Sequence, residues 1–88
     1  MNKAVITVIG KDTTGIIAKV SNLLYQNDIN ILDISQTIMQ DLFTMIMLVD
    51  MRGATPADLA EELKEIENEM NLSIRVQNED IFNSMHRI

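Results

Sequence analysis

Residues 9–36 read IGKDTTGIIAKVSNLLYQNDINILDISQ and contain, in order, a strand end, a loop between two glycines, a helix and a second strand. The helix is predicted because its apolar residues recur at spacings of three and four, which places them on one buried stripe. That stripe consists of Ile16, Ile17, Val20, Leu23 and Leu24. We expect Thr13 or Thr14 to cap the first amides of the helix, and Asn27-Asp28 to end it.

Two further strands on either side of this stretch are expected in the middle of a sheet. Residues 3–9, KAVITVI, and residues 42–51, LFTMIMLVDM, are apolar on both faces. Strands of that kind are usually covered by neighbours on both sides. Residues 30–40, NILDISQTIMQ, are expected to form the strand between the first helix and residues 42–51, with Leu32, Ile34 and Ile38 on one face.

The remaining part of the chain supplies a second helix and an edge strand. Thr55 and Pro56 give two independent helix-start signals, a threonine N-cap and a proline in the first helical position. The buried stripe of this helix is then Leu59, Leu63, Ile66 and Met70. Residues 72–77, LSIRVQ, alternate apolar and polar, which is typical of an edge strand with one wet face.

The resulting order, β-α-β-β-α-β, predicts an α+β, ferredoxin-like sandwich. Its four-stranded antiparallel sheet should have the strand order 4-1-3-2, with both helices on one face. Residues 1–78 are assigned to this domain. Residues 79–88, EDIFNSMHRI, form a C-terminal tail whose apolar residues have helical spacing.

Composition excludes several classes of function. The 88 residues suffice for one domain, and the absence of cysteine excludes disulfides and thiolate metal sites. A net charge of −6 with seven scattered basic residues argues against binding to nucleic acid or to an anionic membrane. A single histidine and no Ser–His–Asp grouping predict no catalytic residues, metal or cofactor. Without a membrane-length apolar run or a leader peptide, we expect a cytoplasmic protein.

The second face of the sheet needs a cover that two helices cannot provide. The third strand carries apolar residues on both faces, and both helices are expected on one. Either the tail folds back or a second subunit packs there. We expect a homodimer with the sheet or its edge at the interface, and the sequence leaves side-by-side and face-to-face arrangements open.

The loop from Gly10 to Gly15 has two interpretations. Free amides at a helix start suit a carboxylate or phosphate, whereas two glycines also suit a tight turn that needs backbone freedom. The Lys-Ser/Thr pair of a P-loop is missing, since Ile16 and Ile17 stand in its place. A nucleoside triphosphate site is therefore not expected.

Taken together, the pattern of this stretch resembles the opening of an ACT domain. The matching features are a strand, polar residues, an Asp, a Gly followed by Ile, an apolar helix and a closing Asn-Ile. They fall here at Asp12, Gly15, Ile16, Leu23, Leu24, Asn30 and Ile31. Thr14 stands where the family often has proline. The whole chain also resembles small stand-alone ACT proteins, and more distantly the ACT domains of the glycine-cleavage repressor and of formyltetrahydrofolate deformylase.

The resemblance implies a ligand site where two subunits meet. One wall would be the first loop, with Lys11, Asp12, Thr13, Thr14, Gly15 and Ile16, and the other wall Asn30 and Ile31. Amides near Gly15 suit an α-carboxylate, and Asp12 suits an α-ammonium. Equally, Asp12 can be a residue capping the helix start, and Asn30 a turn residue.

The resemblance also implies a non-enzymatic regulatory module. It would bind an amino acid or similar small molecule at a homodimer interface and signal to another protein. The alternative is an adaptor that binds no ligand and acts through a Met-rich sheet face. Methionines of the strand 2–3 hairpin either pack the core or form that partner surface; they are Met39, Met45, Met47 and Met51.

Overall fold

A computed structural model describes residues 2–79 of the chain. The expected tail falls outside the described residues from position 80 onward. The elements follow the predicted order and are β1 (Lys3–Lys11), α1 (Ile16–Gln26), β2 (Asn30–Met39), β3 (Leu42–Asp50), α2 (Pro56–Met70) and β4 (Leu72–Asn78).

The four strands form one antiparallel sheet in the order β2-β3-β1-β4. This is the predicted 4-1-3-2 order read from the opposite edge. The two strands that are apolar on both faces, β1 and β3, occupy the centre as expected. β2 and β4 form the edges.

The core lies between one face of the sheet and both helices. Both predicted helical stripes contribute to it, and β1 contributes through Ala4, Ile6 and Val8. Three of the four hairpin methionines are completely buried there, namely Met45, Met47 and Met51. Core packing is therefore the correct interpretation for these three, while Met39 at the end of β2 is 68% exposed.

The two helices begin differently. Thr55 caps α2 as predicted, since its Oγ1 accepts a hydrogen bond from the amide of Asp58 at 3.2 Å. The predicted threonine cap of α1 is wrong: Gly15 occupies the N-cap position with φ 92°, and no side chain bonds the first amides. Thr13 instead donates from Oγ1 to the carbonyl of Lys11 at 3.2 Å, within its own turn.

The inner face of β2 differs from its predicted pattern. A bulge between Ile31 and Asp33 places Leu32 outside the regular pairing, so Leu32 does not continue the face of Ile34 and Ile38. Those two isoleucines pair with buried β3 residues yet remain 42% and 53% exposed. The helices therefore leave this part of the inner face of β2 uncovered.

The opposite face of the sheet carries exposed apolar side chains. Ile9, Leu42 and Ile46 are each between 41% and 47% exposed on this face, whereas Val5 near its other end is buried. Within residues 2–79, neither helix combines the length and apolarity that a bilayer crossing requires.

Candidate functional site

A groove of about 450 Å³ opens between the start of α1 and the inner face of β2. Its volume falls within the usual range for small-molecule sites. The lining comes from the first loop, the first turn of α1, β2 and β3. It consists of Asp12, Thr13, Gly15, Ile16, Ile17, Ala18, Gln36, Ile38 and Phe43.

Strand pairing brings the loop beside the hairpin of β2 and β3. Phe43 of β3 pairs with Gly10 of β1 on one side and with Ile38 of β2 on the other. The end of β1 therefore lies beside the base of the groove. The amide of Asp12 donates to the carbonyl of Asp41 at 2.7 Å. This bond fastens the loop to the hairpin turn, which fixes one end of the groove to the sheet.

The first turn of α1 forms the second wall. The first bond of the helix runs from the amide of Lys19 to the carbonyl of Gly15 at 3.0 Å. The amides before Lys19 have no acceptor within the helix, and α1 has neither a side-chain cap nor an acidic residue in its first turn. These donors therefore lie at the groove with the positive end of the helix dipole behind them.

Among the described residues, one charged side chain lines the groove. Asp12 is exposed at its loop end, where Thr13 adds a hydroxyl group. Gln36 adds a polar amide from β2, and its buried partner Met45 lies beside it on β3. The rest of the lining is apolar apart from Gly15.

The structure brings together four of the eight predicted site residues. Asp12, Thr13, Gly15 and Ile16 line the groove as one segment. Lys11, the last residue of β1, and Thr14 of the loop are both exposed, yet neither lines the groove.

The other two predicted residues lie at the far end of β2. Asn30 lines a separate shallow pocket of about 150 Å³ beside the Asp28–Arg52 ion pair, and Ile31 packs against the core. Eight strand positions separate Asn30 from Ile38, which is roughly 25 Å. Within one chain these residues do not meet Asp12, so their role stays a prediction about a second copy.

Sequence reasoning missed five of the lining residues. Ile17 was expected in the buried stripe of α1, but it is 38% exposed and lies on the groove wall. Ala18, Ile38 and Phe43 have no polar signal that marks a site. Gln36 had a usable signal, because it is a polar residue on the inner face between Ile34 and Ile38.

No metal site accompanies the groove in the described part of the chain. Among residues 2–79, no three His, Asp or Glu side chains converge closely enough to hold an ion. Four glutamates of α2 are exposed: Glu61, Glu62, Glu65 and Glu69. Of these, Glu69 pairs with Lys19 of α1 and Glu61 with Lys64.

Comparison with known proteins gives matches along the whole described chain. A family model of the ACT domain matches residues 2–77. The UPF0237 protein of Clostridium perfringens is 58% identical, with 97% of this chain and 98% of that protein covered. An ACT domain protein from Streptococcus pneumoniae has a solved structure that is 38% identical with a TM-score of 0.80, covering 92% of this chain and 93% of that one.

Two larger proteins share the fold at lower identity. A putative glycine cleavage system transcriptional repressor is 25% identical with a TM-score of 0.73, and the match covers 88% of this chain and 45% of that one. Formyltetrahydrofolate deformylase from Burkholderia mallei is 14% identical with a TM-score of 0.83, covering 89% and 28%. The second likeness concerns the fold alone.

Proposed function

The chain belongs to the ACT domain family, and we propose that it binds an amino acid in the groove between its first loop and β2. Members of this family are small regulatory ligand-binding modules. One observation carries the proposal. The largely apolar groove of about 450 Å³ opens at the loop that joins β1 to α1, and Asp12 is the one charged residue in the described part of the chain that lines it.

The polar end of the groove suits the common part of an amino acid. An α-carboxylate fits the uncapped amides of Ile16–Ala18, because amides at a helix start attract anions. An α-ammonium fits the carboxylate of Asp12 at the neighbouring loop position. The negative charge of the ligand is thereby matched by the amides at the start of α1, and its positive charge by the carboxylate of Asp12.

A second copy of the chain completes the site in this proposal. β2 is an edge strand of ten residues with no lysine, arginine or proline and with Asp33 as its one charged residue, whereas the other edge, β4, has seven residues and includes Arg75. Long edge strands that lack lysine and proline are prone to pair with another chain. Pairing through β2 makes the Asn30 and Ile31 of the partner available to the groove.

The output of the module follows from ligand linkage. A ligand held between two copies binds the dimer better than the separate chains, so it tightens their association. In this proposal the change passes to another protein, which recognises the ligand-bound dimer.

Titration of the purified chain with each standard amino acid, followed by calorimetry and thermal unfolding, tests the proposal. We expect at least one to bind and raise the midpoint of unfolding. Asp12→Ala should weaken that binding by about tenfold or more, because a charge-assisted hydrogen bond is lost.

Asp41→Ala is the matched control, since Asp41 is an exposed carboxylate at the same end of the sheet and outside the groove lining. Its affinity should stay close to that of the unmodified chain. Absence of stabilisation by every amino acid at millimolar concentration would refute the proposal. Equal affinity of the Asp12→Ala variant would remove Asp12 from the site.

An adaptor function is the second candidate, and the exposed apolar sheet face favours it. Ile9, Leu42 and Ile46 lie on that face, but the three core methionines do not. An adaptor would bind its protein partner whether or not an amino acid is present. It would lose that partner with Ile46→Glu and keep it with Asp12→Ala.

A further inference from the structure

We infer that the groove selects amino acids with an apolar side chain and that Ile38 of β2 is a main determinant of this preference. The inference rests on the proposed function, because it specifies which ligand the same groove takes.

The part of the groove beyond Asp12 and Thr13 offers apolar surface on three sides. Phe43 of β3 is 3% exposed and lines the groove from the central part of the sheet. Ile17 of α1 and Ile38 of β2 line it with side chains that are 38% and 53% exposed. An apolar ligand group would remove the exposed surfaces of Ile17 and Ile38 from water, which favours binding in proportion to the area covered.

Charge at the groove disfavours acidic and basic side chains. No basic residue among positions 2–79 lines it, and Lys19, which follows the lining segment, is paired with Glu69 of α2. An acidic ligand side chain would therefore lack a cationic partner and face the charge of Asp12. A basic side chain would have to leave water among isoleucines while the α-ammonium already occupies Asp12.

Gln36 does not reverse this preference. It is the single polar side chain that β2 contributes to the lining, and its carboxamide can donate to the second oxygen of the same α-carboxylate that the amides of α1 receive. A polar ligand side chain would then have no second amide or carboxamide from β2 to pair with.

Two pairs of amino acids with nearly equal shape isolate the effect of polarity. Leucine is compared with asparagine, and valine with threonine, by calorimetric titration of the unmodified full chain. We expect the apolar member of each pair to bind about tenfold to a hundredfold more tightly.

The Ile38→Ser variant tests whether the preference for apolar side chains arises in the groove. The affinity ratio of leucine to asparagine should fall several-fold towards one, because the ligand side chain loses its apolar neighbour on β2. Ile34→Ser is the matched control: Ile34 is the same residue type on the same face of the same strand, is 42% exposed and does not line the groove. Since the ratio is measured within one variant, a change in overall stability or association affects both ligands alike.

The outcomes distinguish a failure of the proposed function from a failure of the preference for apolar side chains. Binding of no amino acid at all refutes the proposed function and this inference with it. Asparagine and threonine binding as tightly as leucine and valine refutes the inference and leaves the proposed function intact. An equal fall of the ratio in Ile34→Ser and Ile38→Ser shows that Ile38 has no specific role.

Discussion

Gly15 sets the geometry of the groove at the scale of a single residue. Its φ of 92° lies in a region that residues with a Cβ rarely adopt. A Cβ built at this position meets no atom within 4 Å, so the constraint comes from the backbone and not from crowding. The turn that this conformation produces leads directly into the uncapped first turn of α1.

Gly15→Ala should lower the free energy of unfolding by about 1–2 kcal/mol, the usual cost of a left-handed residue with a Cβ. Urea denaturation followed by circular dichroism measures this change. Gly53→Ala is the control, because Gly53 also has open space around it and lacks a positive φ. The control should change stability by less than about 1 kcal/mol. Equal losses in both variants would contradict the role given to the Gly15 backbone.

Residue identities predicted part of the site. The requirement for glycine at position 15 and the place of Asp12 beside the helix start follow from local chemistry. Gly10 lies inside β1 and not in a turn, and a Cβ there would meet a side-chain atom of Leu72 at 2.6 Å, so its requirement comes from the packing of β4. The cap of α1 did not follow, because Thr13 and Thr14 are both suitable caps by type, and only the backbone path decides that Gly15 takes the position. The role of Asn30 and Ile31 at the site depends on a second copy, whose arrangement the sequence leaves open.

At the scale of elements, side chains at the N-terminus of α2 stabilise the start of that helix, whereas the start of α1 has no such side chains. Thr55 and Pro56 begin α2, and Asp58 lies in its first turn beside the positive end of the dipole. α1 has no such side chains and relies on the burial of Ile16, Val20 and Leu24. The uncapped helix is the one that lines the groove.

Thr55→Ala should cost about 1 kcal/mol of unfolding free energy, because the amide of Asp58 loses its side-chain acceptor. Thr55→Ser retains a hydroxyl at the same position and should stay within a few tenths of the unmodified chain. Chemical denaturation compares the three proteins. If the alanine and serine variants are equally stable, the hydroxyl bond contributes nothing and the capping account fails.

The order of the elements and the places of the strands in the sheet were predictable, because the spacing and the type of the apolar residues indicate both. The central positions of β1 and β3 follow from apolar residues on both faces. The bulge at Leu32 was not predictable from the sequence. An extra residue in β2 becomes visible only in the pairing with β3, which the sequence alone does not give. The exposure of Ile34 and Ile38 likewise depends on where the helices lie across the sheet.

At the scale of the whole molecule, two surfaces can meet another copy. One is the edge of β2, and the other is the apolar sheet face that carries Ile9, Leu42 and Ile46. The proposed site requires association through the β2 edge, because only that edge borders the groove. A face-to-face dimer would leave the groove with one wall open.

Ser35→Lys separates the two arrangements. Ser35 lies near the middle of β2, so antiparallel pairing of two copies would bring two lysines close together and should weaken association about tenfold or more. Ile46→Lys is the matched variant, because Ile46 pairs with Ser35 one strand inward on β3. It should change the dimer dissociation constant by less than about threefold. The reverse order of effects would indicate a face-to-face dimer.

The most direct test is sedimentation equilibrium of the unmodified chain at micromolar concentration, with and without the amino acid that binds best. We predict a species of twice the 10.0 kDa chain mass, with a dissociation constant that falls when the amino acid is added, since ligand and second copy share one site. A 10.0 kDa species alone, whose mass does not respond to any amino acid, would contradict the account.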